Sequence, residues 1–368
     1  MEEYTRESGL PAGLASVLTC VASVVSEVSN VLRSGSVSSG YSGGTNAFGD
    51  NQLEVDVAVD RLIFERLASC SAVQGAASEE QPELKPLPGR GYTVVFDPLD
   101  GSSIMGANFA VGTIFGIWPG GSPVGRAGRR QAAAAYAVYG PQTILVWARP
   151  KAGSTAAAEV AAAEERVQAG AEAEPGPAEH VEANGEASAD GRGSGPDAEA
   201  RGSDAASLCS CSARLRDTHQ VDEFLLNADG TWRLNRADLA VAPVSKIFAP
   251  ANLRAAAANE EYAELVRKWI EANFTLRYTG GMVPDVHHIL AKGSGVFCNP
   301  CSSTAPAKLR LVFECAPLSF VLEAAGGSST TGQHSVLDEP IRTTNDRSKI
   351  CLGSSQLVEE SLPAMQAA

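Results

Sequence analysis

The chain has 368 residues, of which 44% are hydrophobic and 6% are aromatic, and its formal net charge at pH 7 is −14. This length is sufficient for one large α/β domain or for two closely packed ones. The negative charge argues against a nucleic-acid-binding surface, which needs clustered Lys and Arg. An acidic protein that handles anionic substrates must concentrate positive charge locally or obtain it from metal ions.

Regular structure is predicted from the periodicity of apolar residues. Helical spacing over residues 11–33 predicts an amphipathic helix, and a Ser/Gly-rich stretch at 34–44 predicts the loop that ends it. A second amphipathic helix is expected at 53–67, and β-branched and aromatic residues at 92–96 predict a buried strand. Further strands are expected at 111–118, 144–147 and 309–315, and further helices at 260–271 and 319–325.

The composition changes abruptly after Pro150. About 65 residues, from 151 to 215, are rich in Ala, Glu, Gly, Ser and Pro and have almost no large apolar side chains, so they cannot bury enough surface to fold alone. The Ala/Glu-rich start of this segment is expected to form transient helix at most. We therefore predict a disordered insertion at 151–215 between ordered parts at 1–150 and 216–368.

The eight cysteines do not suggest a disulfide framework in a chain of this length. Two pairs are close in sequence, Cys209 with Cys211 and Cys298 with Cys301, but nothing else indicates a zinc site. No run of eighteen apolar residues is present, so no membrane span is expected. The acidic start predicts a soluble chain whose targeting segment is absent or already removed.

The most informative segment is Asp97-Pro98-Leu99-Asp100-Gly101-Ser102-Ser103, which follows the predicted strand at 92–96. Its two Asp residues flank a turn that proline restricts, so both carboxylates can point at one position. The Gly and Ser residues that follow offer backbone N–H groups to an anion. Mg²⁺ prefers oxygen ligands and commonly shares its shell with a substrate phosphate. The segment therefore predicts phosphate hydrolysis, and an ordinary Asp-Pro turn is the alternative.

The run from Val94 to Ser103 resembles the signature of the fructose-1,6- and sedoheptulose-1,7-bisphosphatase family, within the wider lithium-sensitive phosphatase superfamily. The likeness extends from Leu14 to Leu357 and is interrupted mainly by the insertion. It implies an α/β fold, a layered α-β-α-β-α sandwich with two closely packed subdomains. The N-terminal subdomain, 1–150, would bind metal and phosphate, and the C-terminal subdomain, 216–368, would bind the sugar.

The resemblance implies roles for acidic residues in several separated segments. Residues 48–56 resemble the GDxQxxxD motif, in which Asp50 and Asp56 would act near the metals and the attacking water. Ser78-Glu79-Glu80 resembles the SEE motif, in which Glu80 would position or activate that water. Residues 309–314 resemble the late strand of the family that supplies the last metal ligand. Taken singly, this match and the SEE match each fit an ordinary Glu on an exposed face. The implied ligands of two or three Mg²⁺ ions are Glu79, Asp97, the Leu99 carbonyl, Asp100 and Glu314.

The resemblance also implies a substrate-binding set. Arg277 and Lys308 would contribute positive charge toward the distal phosphate, and Asn252 and Tyr278 would hydrogen-bond the sugar. A solvated surface lysine is the alternative for Lys308. The implied substrate-binding residues are Gly101, Ser102, Ser103, Asn252, Arg277, Tyr278 and Lys308.

These likenesses imply a phosphoric monoester hydrolase of carbohydrate metabolism that removes the 1-phosphate of a sugar bisphosphate. Residues 107–120 and 275–285 resemble the sedoheptulose branch more than the fructose branch, so sedoheptulose 1,7-bisphosphate, a Calvin-cycle type of substrate, is expected. A fructose-1,6-bisphosphatase or a dual-specificity enzyme is the alternative. Gly106 stands where the family usually has Asp, so a catalytically weak sugar-phosphate-binding homologue is the alternative from another class.

The expected partner is a small sugar bisphosphate, with no nucleic acid and no membrane. The family resemblance also implies a homo-oligomer, a dimer or a tetramer, in which Arg277 is the candidate to complete a neighbouring pocket. It suggests the chloroplast stroma, whereas a chain that is complete as it stands favours the cytoplasm. Cys298 and Cys301 lie near the inferred sugar pocket and are either a thiol switch or inert thiols.

Overall fold

The computed structural model describes residues 1–35, 40–45, 51–170 and 215–367. The described helices are α1 (Glu2–Glu7), α2 (Ala12–Ser34), α3 (Glu54–Ala68), α4 (Ser102–Met105), α5 (Thr155–Gln168), α6 (Glu260–Glu271), α7 (Met282–Lys292), α8 (Ala316–Ala324), α9 (Ser355–Glu360) and α10 (Leu362–Gln366). The described strands are β1 (Tyr41–Thr45), β2 (Asn51–Leu53), β3 (Val73–Ser78), β4 (Lys85–Pro86), β5 (Tyr92–Asp100), β6 (Val111–Pro119), β7 (Ala133–Tyr139), β8 (Thr143–Pro150), β9 (His219–Leu226), β10 (Trp232–Arg236), β11 (Ile247–Pro250), β12 (Thr275–Leu276), β13 (Val296–Asn299), β14 (Ser328–Thr330) and β15 (Ile350–Gly353).

The larger sheet has the order β10-β9-β8-β7-β6-β5-β3-β4. Among its described neighbours, β3 and β5 run parallel and the other pairs run antiparallel. Every residue of β5 is buried, because helices cover both faces of the sheet at this strand. The strand predicted at 92–96 is therefore confirmed and continues to Asp100. A strand buried on both faces has a continuous apolar run rather than an alternating pattern.

Three hydrophobic clusters fill the spaces between the layers of the fold. On β13, Phe297 packs into the cluster that joins both sheets with α7 and α8, whereas Val296 and Cys298 pack outward with α6, α9 and α10. The opposite face of the larger sheet packs against α2 and α3. The smaller sheet has the order β12-β11-β13-β15-β14. The expected α-β-α-β-α sandwich is confirmed, and its middle helical layer is shared by the two halves of the chain.

Helix α2 is long and apolar enough, by length and composition, to cross a membrane. Half of its apolar window is buried, and Leu14, Val17, Leu18 and Val21 have no exposed surface. Core helices of globular proteins satisfy the same criterion as membrane spans. Packing against the larger sheet therefore accounts for the apolar character of α2.

Two local predictions differ from the structure. The predicted loop at 34–44 correctly ends α2 at Ser34, but residues 41–44 belong to β1, which pairs with β2. The predicted strand at 309–315 is a π-helical turn, Leu311–Cys315, that continues into α8. The N–H of Glu314 and the N–H of Cys315 both donate to the Arg310 carbonyl. An apolar run that is buried on all sides does not distinguish strand from helix by periodicity.

The start of the predicted insertion also differs from the expectation of transient helix. Residues 155–168 form α5, and the Glu164 carboxylate accepts hydrogen bonds from the Gly13 N–H (2.6 Å) and the Tyr92 hydroxyl (3.1 Å). A carboxylate at the first turn of α2 is favoured by the helix dipole. This contact fixes α5 on the body of the protein. Residues 171–214 lie outside the described residues, so the predicted disorder there stays a prediction.

We expect Glu164→Ala to lower the free energy of unfolding by about 1–3 kcal/mol, because it leaves the Gly13 N–H and the Tyr92 hydroxyl without their buried acceptor. Urea unfolding followed by circular dichroism measures the change. Glu165→Ala is the matched control, since Glu165 is exposed on the same helix. Equal unfolding midpoints for the two variants would show that the Glu164 contacts contribute nothing to stability.

Candidate active site

Three carboxylates from two separate parts of the chain meet at the end of β5. Oxygen atoms of Asp97, Asp100 and Glu314 lie within 4.8 Å of one another. The three residues are between 4% and 8% exposed. An all-oxygen set of this kind suits a hard cation such as Mg²⁺. The structure therefore brings together three of the predicted metal ligands.

The Asp100 carboxylate is held by the first residues of α7. One of its oxygens accepts a hydrogen bond from the Met282 N–H (3.2 Å), and the other accepts one from the Val283 N–H (2.6 Å). N–H groups at the start of a helix have no acceptor within the helix and favour a negative charge. The orientation of this ligand therefore depends on a helix of the C-terminal half of the chain.

Asp97 and Glu314 are held by backbone groups nearer in sequence. The Asp97 carboxylate accepts a hydrogen bond from the Leu99 N–H at 3.0 Å, within the same turn. The Glu314 carboxylate accepts one from the Arg310 N–H, across the π-helical turn. Leu99 lies between the two Asp residues and is 4% exposed. A ligand role for its carbonyl oxygen stays a prediction.

Negative charge is concentrated in this cluster. Burial raises the pKa of Asp97 and of Glu314 well above the usual range, and the nearby Glu79 carboxylate is the next cause for both. Burial also raises the pKa of Asp100 to about 6. Arg310 is 1% exposed, and its Nε lies 3.7 Å from Glu79 Oε1. One guanidinium cannot neutralise four carboxylates, so the residues present fit a site for divalent cations.

Asp56 lies in the first turn of α3, where its Oδ2 accepts a hydrogen bond from the Leu53 N–H at 3.2 Å. Burial raises the pKa of Asp56 to about 7, against the lowering effect of the Leu53 N–H. The charge of Glu80 also raises this pKa, and the nearby Ser102 side chain lowers it. Asp56 therefore lies beside both the predicted SEE motif and the predicted phosphate turn. Asp50 lies outside the described residues.

The turn after Asp100 requires glycine. Gly101 has a φ of 78°, in the left-handed region, and a Cβ there would lie 3.1 Å from the Gly281 Cα. Ser102 and Ser103 open the short helix α4, where the first N–H groups have no intrahelical acceptor. This geometry is compatible with the predicted contact between these amides and a phosphate.

The predicted sugar-binding residues differ in their surroundings. Tyr278 is 46% exposed, and its pKa is raised by burial and by the negative charges of Asp285 and Asp100, against the opposing charge of Arg254. Tyr278 therefore lies near the metal turn. Both hydrogens of the Asn252 side-chain amide have backbone acceptors, Pro300 O at 2.8 Å and Ala305 O at 3.1 Å. Its predicted donation to a sugar therefore competes with a structural contact.

The two predicted cations are on the surface. Lys308 is exposed, and Arg277 is exposed with its Nη1 donating to the Leu276 carbonyl at 2.8 Å. These residues are accessible to an anionic ligand. Their contacts with substrate stay predictions.

Comparisons with known proteins are consistent with this site. The family model for the fructose-1,6-bisphosphatase N-terminal domain matches residues 1–157, and the model for the C-terminal domain matches residues 241–366. The chain belongs to the fructose-1,6-bisphosphatase family. Members of this family are metal-dependent sugar bisphosphatases, so the chain is a phosphoric monoester hydrolase. The matched ranges leave out residues 158–240, which contain the segment 171–214.

Relatives in this family include both substrate branches. The chain is 36% identical over 360 residues to the chloroplastic sedoheptulose-1,7-bisphosphatase of Spinacia oleracea, over 96% of this chain and 74% of the relative. It is 30% identical over 363 residues to the class 1 fructose-1,6-bisphosphatase of Syntrophotalea carbinolica, over 98% and 91%. A putative sedoheptulose-1,7-bisphosphatase from Toxoplasma gondii has a solved structure that matches with a TM-score of 0.76 and 31% identity, over 100% of this chain and 98% of that one.

Two charged residues at the site were missed by the sequence analysis. Arg310 lies beside Glu79, as described above, and Asp285 is 3% exposed on the first turn of α7. Asp285 Oδ1 accepts a hydrogen bond from the Thr279 N–H at 2.8 Å, which holds the loop that reaches Gly281 and packs on Gly101. The signal was available, because each is a charged residue with apolar neighbours on both sides in the sequence.

We expect Mg²⁺ to raise the thermal unfolding midpoint of the metal-free protein, and to raise it more at about pH 8 than at about pH 5.5. Because burial raises the pKa of Asp100 to about 6, the protonated carboxyl is favoured in the folded state. The protonated Asp100 carboxyl therefore contributes stability that is complete below its ordinary pKa of 3.8 and is lost as the pH rises through about 6. A cation needs the ionised carboxylate, so its stabilising effect should appear over the same range.

Differential scanning fluorimetry with Mg²⁺ or with a chelator checks this expectation. Asp97→Asn should lose most of the response to Mg²⁺. Asp229→Asn is the matched control, because Asp229 is fully exposed in the turn between β9 and β10. A response of the same size in both variants would place the cation elsewhere.

Proposed function

We propose that this enzyme hydrolyses the 1-phosphate of sedoheptulose 1,7-bisphosphate and uses two or three Mg²⁺ ions per site. The observation that carries the proposal is the cluster of Asp97, Asp100 and Glu314 beside the turn at 101–103. The higher identity to a sedoheptulose-1,7-bisphosphatase, 36% against 30% for the fructose enzyme cited above, supports the seven-carbon substrate.

Bound Mg²⁺ would polarise the phosphate and lower the pKa of a coordinated water. The proposed ligands are Glu79, Asp97, the Leu99 carbonyl, Asp100 and Glu314. Their carboxylates are held by backbone N–H donors or lie beside Arg310, so they need little rearrangement to bind a cation. Preorganised ligands of this kind lower the cost of binding.

The remaining chemistry is assigned to residues around the attacking water. Asp56 and Glu80 would orient the water and accept its proton, because the charge of Glu80 acts on Asp56 and both carboxylates belong to the same part of the site. The amides of residues 101–103 would stabilise charge on the phosphoryl oxygens. The water oxygen bonds to phosphorus, the bond from phosphorus to the C1 oxygen breaks, and that oxygen is protonated. Asp50 is proposed to assist in the same region.

Binding of the sugar and the distal phosphate is assigned to Tyr278, Arg277, Lys308 and Asn252. Arg254 is added to this set, because its charge acts on Tyr278 and its side chain is exposed. The distal phosphate needs cations outside the metal cluster, since Arg310 is buried beside Glu79. Arg254, Arg277 and Lys308 are exposed cations that could meet this need.

Phosphate release from sedoheptulose 1,7-bisphosphate, fructose 1,6-bisphosphate and inositol 1-phosphate, assayed in parallel with Mg²⁺, tests the proposal. We expect the highest kcat/KM with the seven-carbon substrate and a loss of at least about 10²-fold in Asp97→Asn, because an essential ligand is lost. Asp229→Asn should keep the parent's activity. A preference for the fructose substrate would support the fructose or dual-specificity alternative instead.

A catalytically weak homologue is the second candidate, because Gly106 stands where the family usually has Asp. A Cβ at Gly106 would meet no atom within 4 Å, and the residue has an ordinary helical φ of −60°. We expect Gly106→Asp to fold normally and to raise kcat by about tenfold or more, because a positioned acid or base group accelerates the reaction by at least this factor. Gly106→Asn is the matched control for size. Parent turnover as high as that of Gly106→Asp would show that the existing carboxylates suffice.

We also propose that the protein is a homo-oligomer, a dimer or a tetramer. Residues 275–280 comprise β12, the edge strand of the smaller sheet, and the segment that follows it. All six are exposed, and they include the apolar side chain of Leu276 and the ring of Tyr278. An exposed edge strand with apolar side chains is suited to association. Sedimentation velocity should find a dimer or larger species, and a monomer at micromolar concentrations would contradict this.

A further inference from the structure

Two thiols meet where α2 packs against the end of α3. Cys20 lies in the middle of α2, and Cys70 follows α3 by two residues. The Cys20 thiol donates to the Arg66 carbonyl oxygen in the last turn of α3 at 3.6 Å, and the Cys70 N–H donates to the Leu67 carbonyl in the same turn at 3.1 Å. Both thiols therefore lie at the end of α3, where each affects the pKa of the other. An ion pair between Arg66 and Glu27 of α2, at 2.8 Å, holds the same two elements together.

The pair is accessible. Cys20 and Cys70 are partly exposed, and both neighbours of Cys70 in sequence, Ser69 and Ser71, are exposed. Reactive cysteines are found at partly exposed positions where the thiolate is stabilised. Neither thiol belongs to the candidate active site, and nothing in the proposed reaction uses them.

The surroundings of the two sulfurs differ. The neighbouring Cys20 thiol is the largest of the effects that lower the pKa of Cys70 to about 7, and the nearby backbone N–H groups of Ala72 and Val73 add to it. The same pairing and burial raise the pKa of Cys20. Cys70 also lies in the turn after α3, between the exposed Ser69 and Ser71, whereas Cys20 lies within a helix. Cys70 is therefore suited to be the nucleophile, and Cys20 to be the thiol that attacks second.

We propose that Cys20 and Cys70 form a peroxide-reactive dithiol that closes reversibly to a disulfide between α2 and the end of α3. The Cys70 thiolate attacks one peroxide oxygen, the O–O bond breaks, and a sulfenic acid and one water are formed. The Cys20 sulfur then attacks the Cys70 sulfur, the S–S bond forms, and a second water leaves. Hydrogen peroxide is reduced to two waters, and the two thiols are oxidised to the disulfide. A small dithiol such as dithiothreitol restores the two thiols by thiol–disulfide exchange and is itself oxidised to a disulfide.

A second pair of cysteines in the same chain can be compared with Cys20 and Cys70. Cys298 and Cys351 are opposite each other on β13 and β15, and both have 0% exposure. Cys298 therefore faces Cys351 across the sheet, whereas the sequence analysis considered it together with Cys301. Because peroxide has no access to this pair, it should stay reduced under conditions that oxidise Cys20 and Cys70. Cys209 and Cys211 lie outside the described residues.

Non-reducing peptide mapping of the full-length protein tests the proposal. After hydrogen peroxide treatment and alkylation of the remaining thiols, trypsin should release peptide 7–33 linked to peptide 67–90, and dithiothreitol should separate them. In Cys20→Ser the link should be absent, and dimedone should trap a sulfenic acid at Cys70. In Cys70→Ser, Cys20 should remain alkylatable. Cys301→Ser, the matched control, should keep the link.

The proposal is overturned if peptides 7–33 and 67–90 stay separate and fully alkylated at peroxide concentrations that oxidise other cysteines of the chain. It is equally overturned if Cys70 is found linked to Cys209 or Cys211 instead of Cys20. Both readouts are independent of phosphatase activity, so the outcome does not depend on the proposed function.

Discussion

Like-charged groups are buried together at the end of β5, and the surrounding structure is arranged to hold them there. Asp97, Asp100 and Glu314 repel one another in a site with little water, which would drive the side chains apart or protonate them. Backbone N–H groups oppose this by donating to each carboxylate. The start of α7 and the π-helical turn therefore supply N–H donors that help to hold these charges in place.

The same constraint joins the two halves of the chain. The N terminus of α7 must approach β5 and β6 closely, and a Cβ at Gly112 of β6 would lie 2.3 Å from a methyl carbon of Val283. Glycine at this position lets α7 pack flat on the sheet and place its first N–H groups on Asp100. Neither half alone contains the three-carboxylate cluster, because β5 supplies two members and the turn before α8 supplies the third. The middle helical layer is thus both the core and the frame of the site.

This dependence explains which features were predictable from the sequence. Asp97, Asp100 and Gly101 were recognised because their chemistry is local to one turn. Glu314 was recognised only through resemblance to the family, and its π-helical turn was missed because a fully buried apolar run has no distinguishing period. The docking of α5 was missed for a different reason. Glu164 and Glu165 are identical, adjacent residues on one helix, so the sequence does not distinguish them. Tertiary contacts make Glu164 a buried acceptor and leave Glu165 exposed.

The placement of cations bears on how an acidic enzyme attracts a doubly phosphorylated sugar. Arg310 is buried beside Glu79, so its charge offsets that carboxylate and is not available to the substrate at the surface. In the proposed function, positive charge at the reacting phosphate would come from metal ions, and charge at the distal phosphate from exposed Arg and Lys. The two phosphates would therefore be recognised by different means. Binding of the reacting phosphate would depend on how tightly the metal ions are held. Added salt would mainly weaken binding of the distal phosphate, because salt screens exposed charges much more than buried ones.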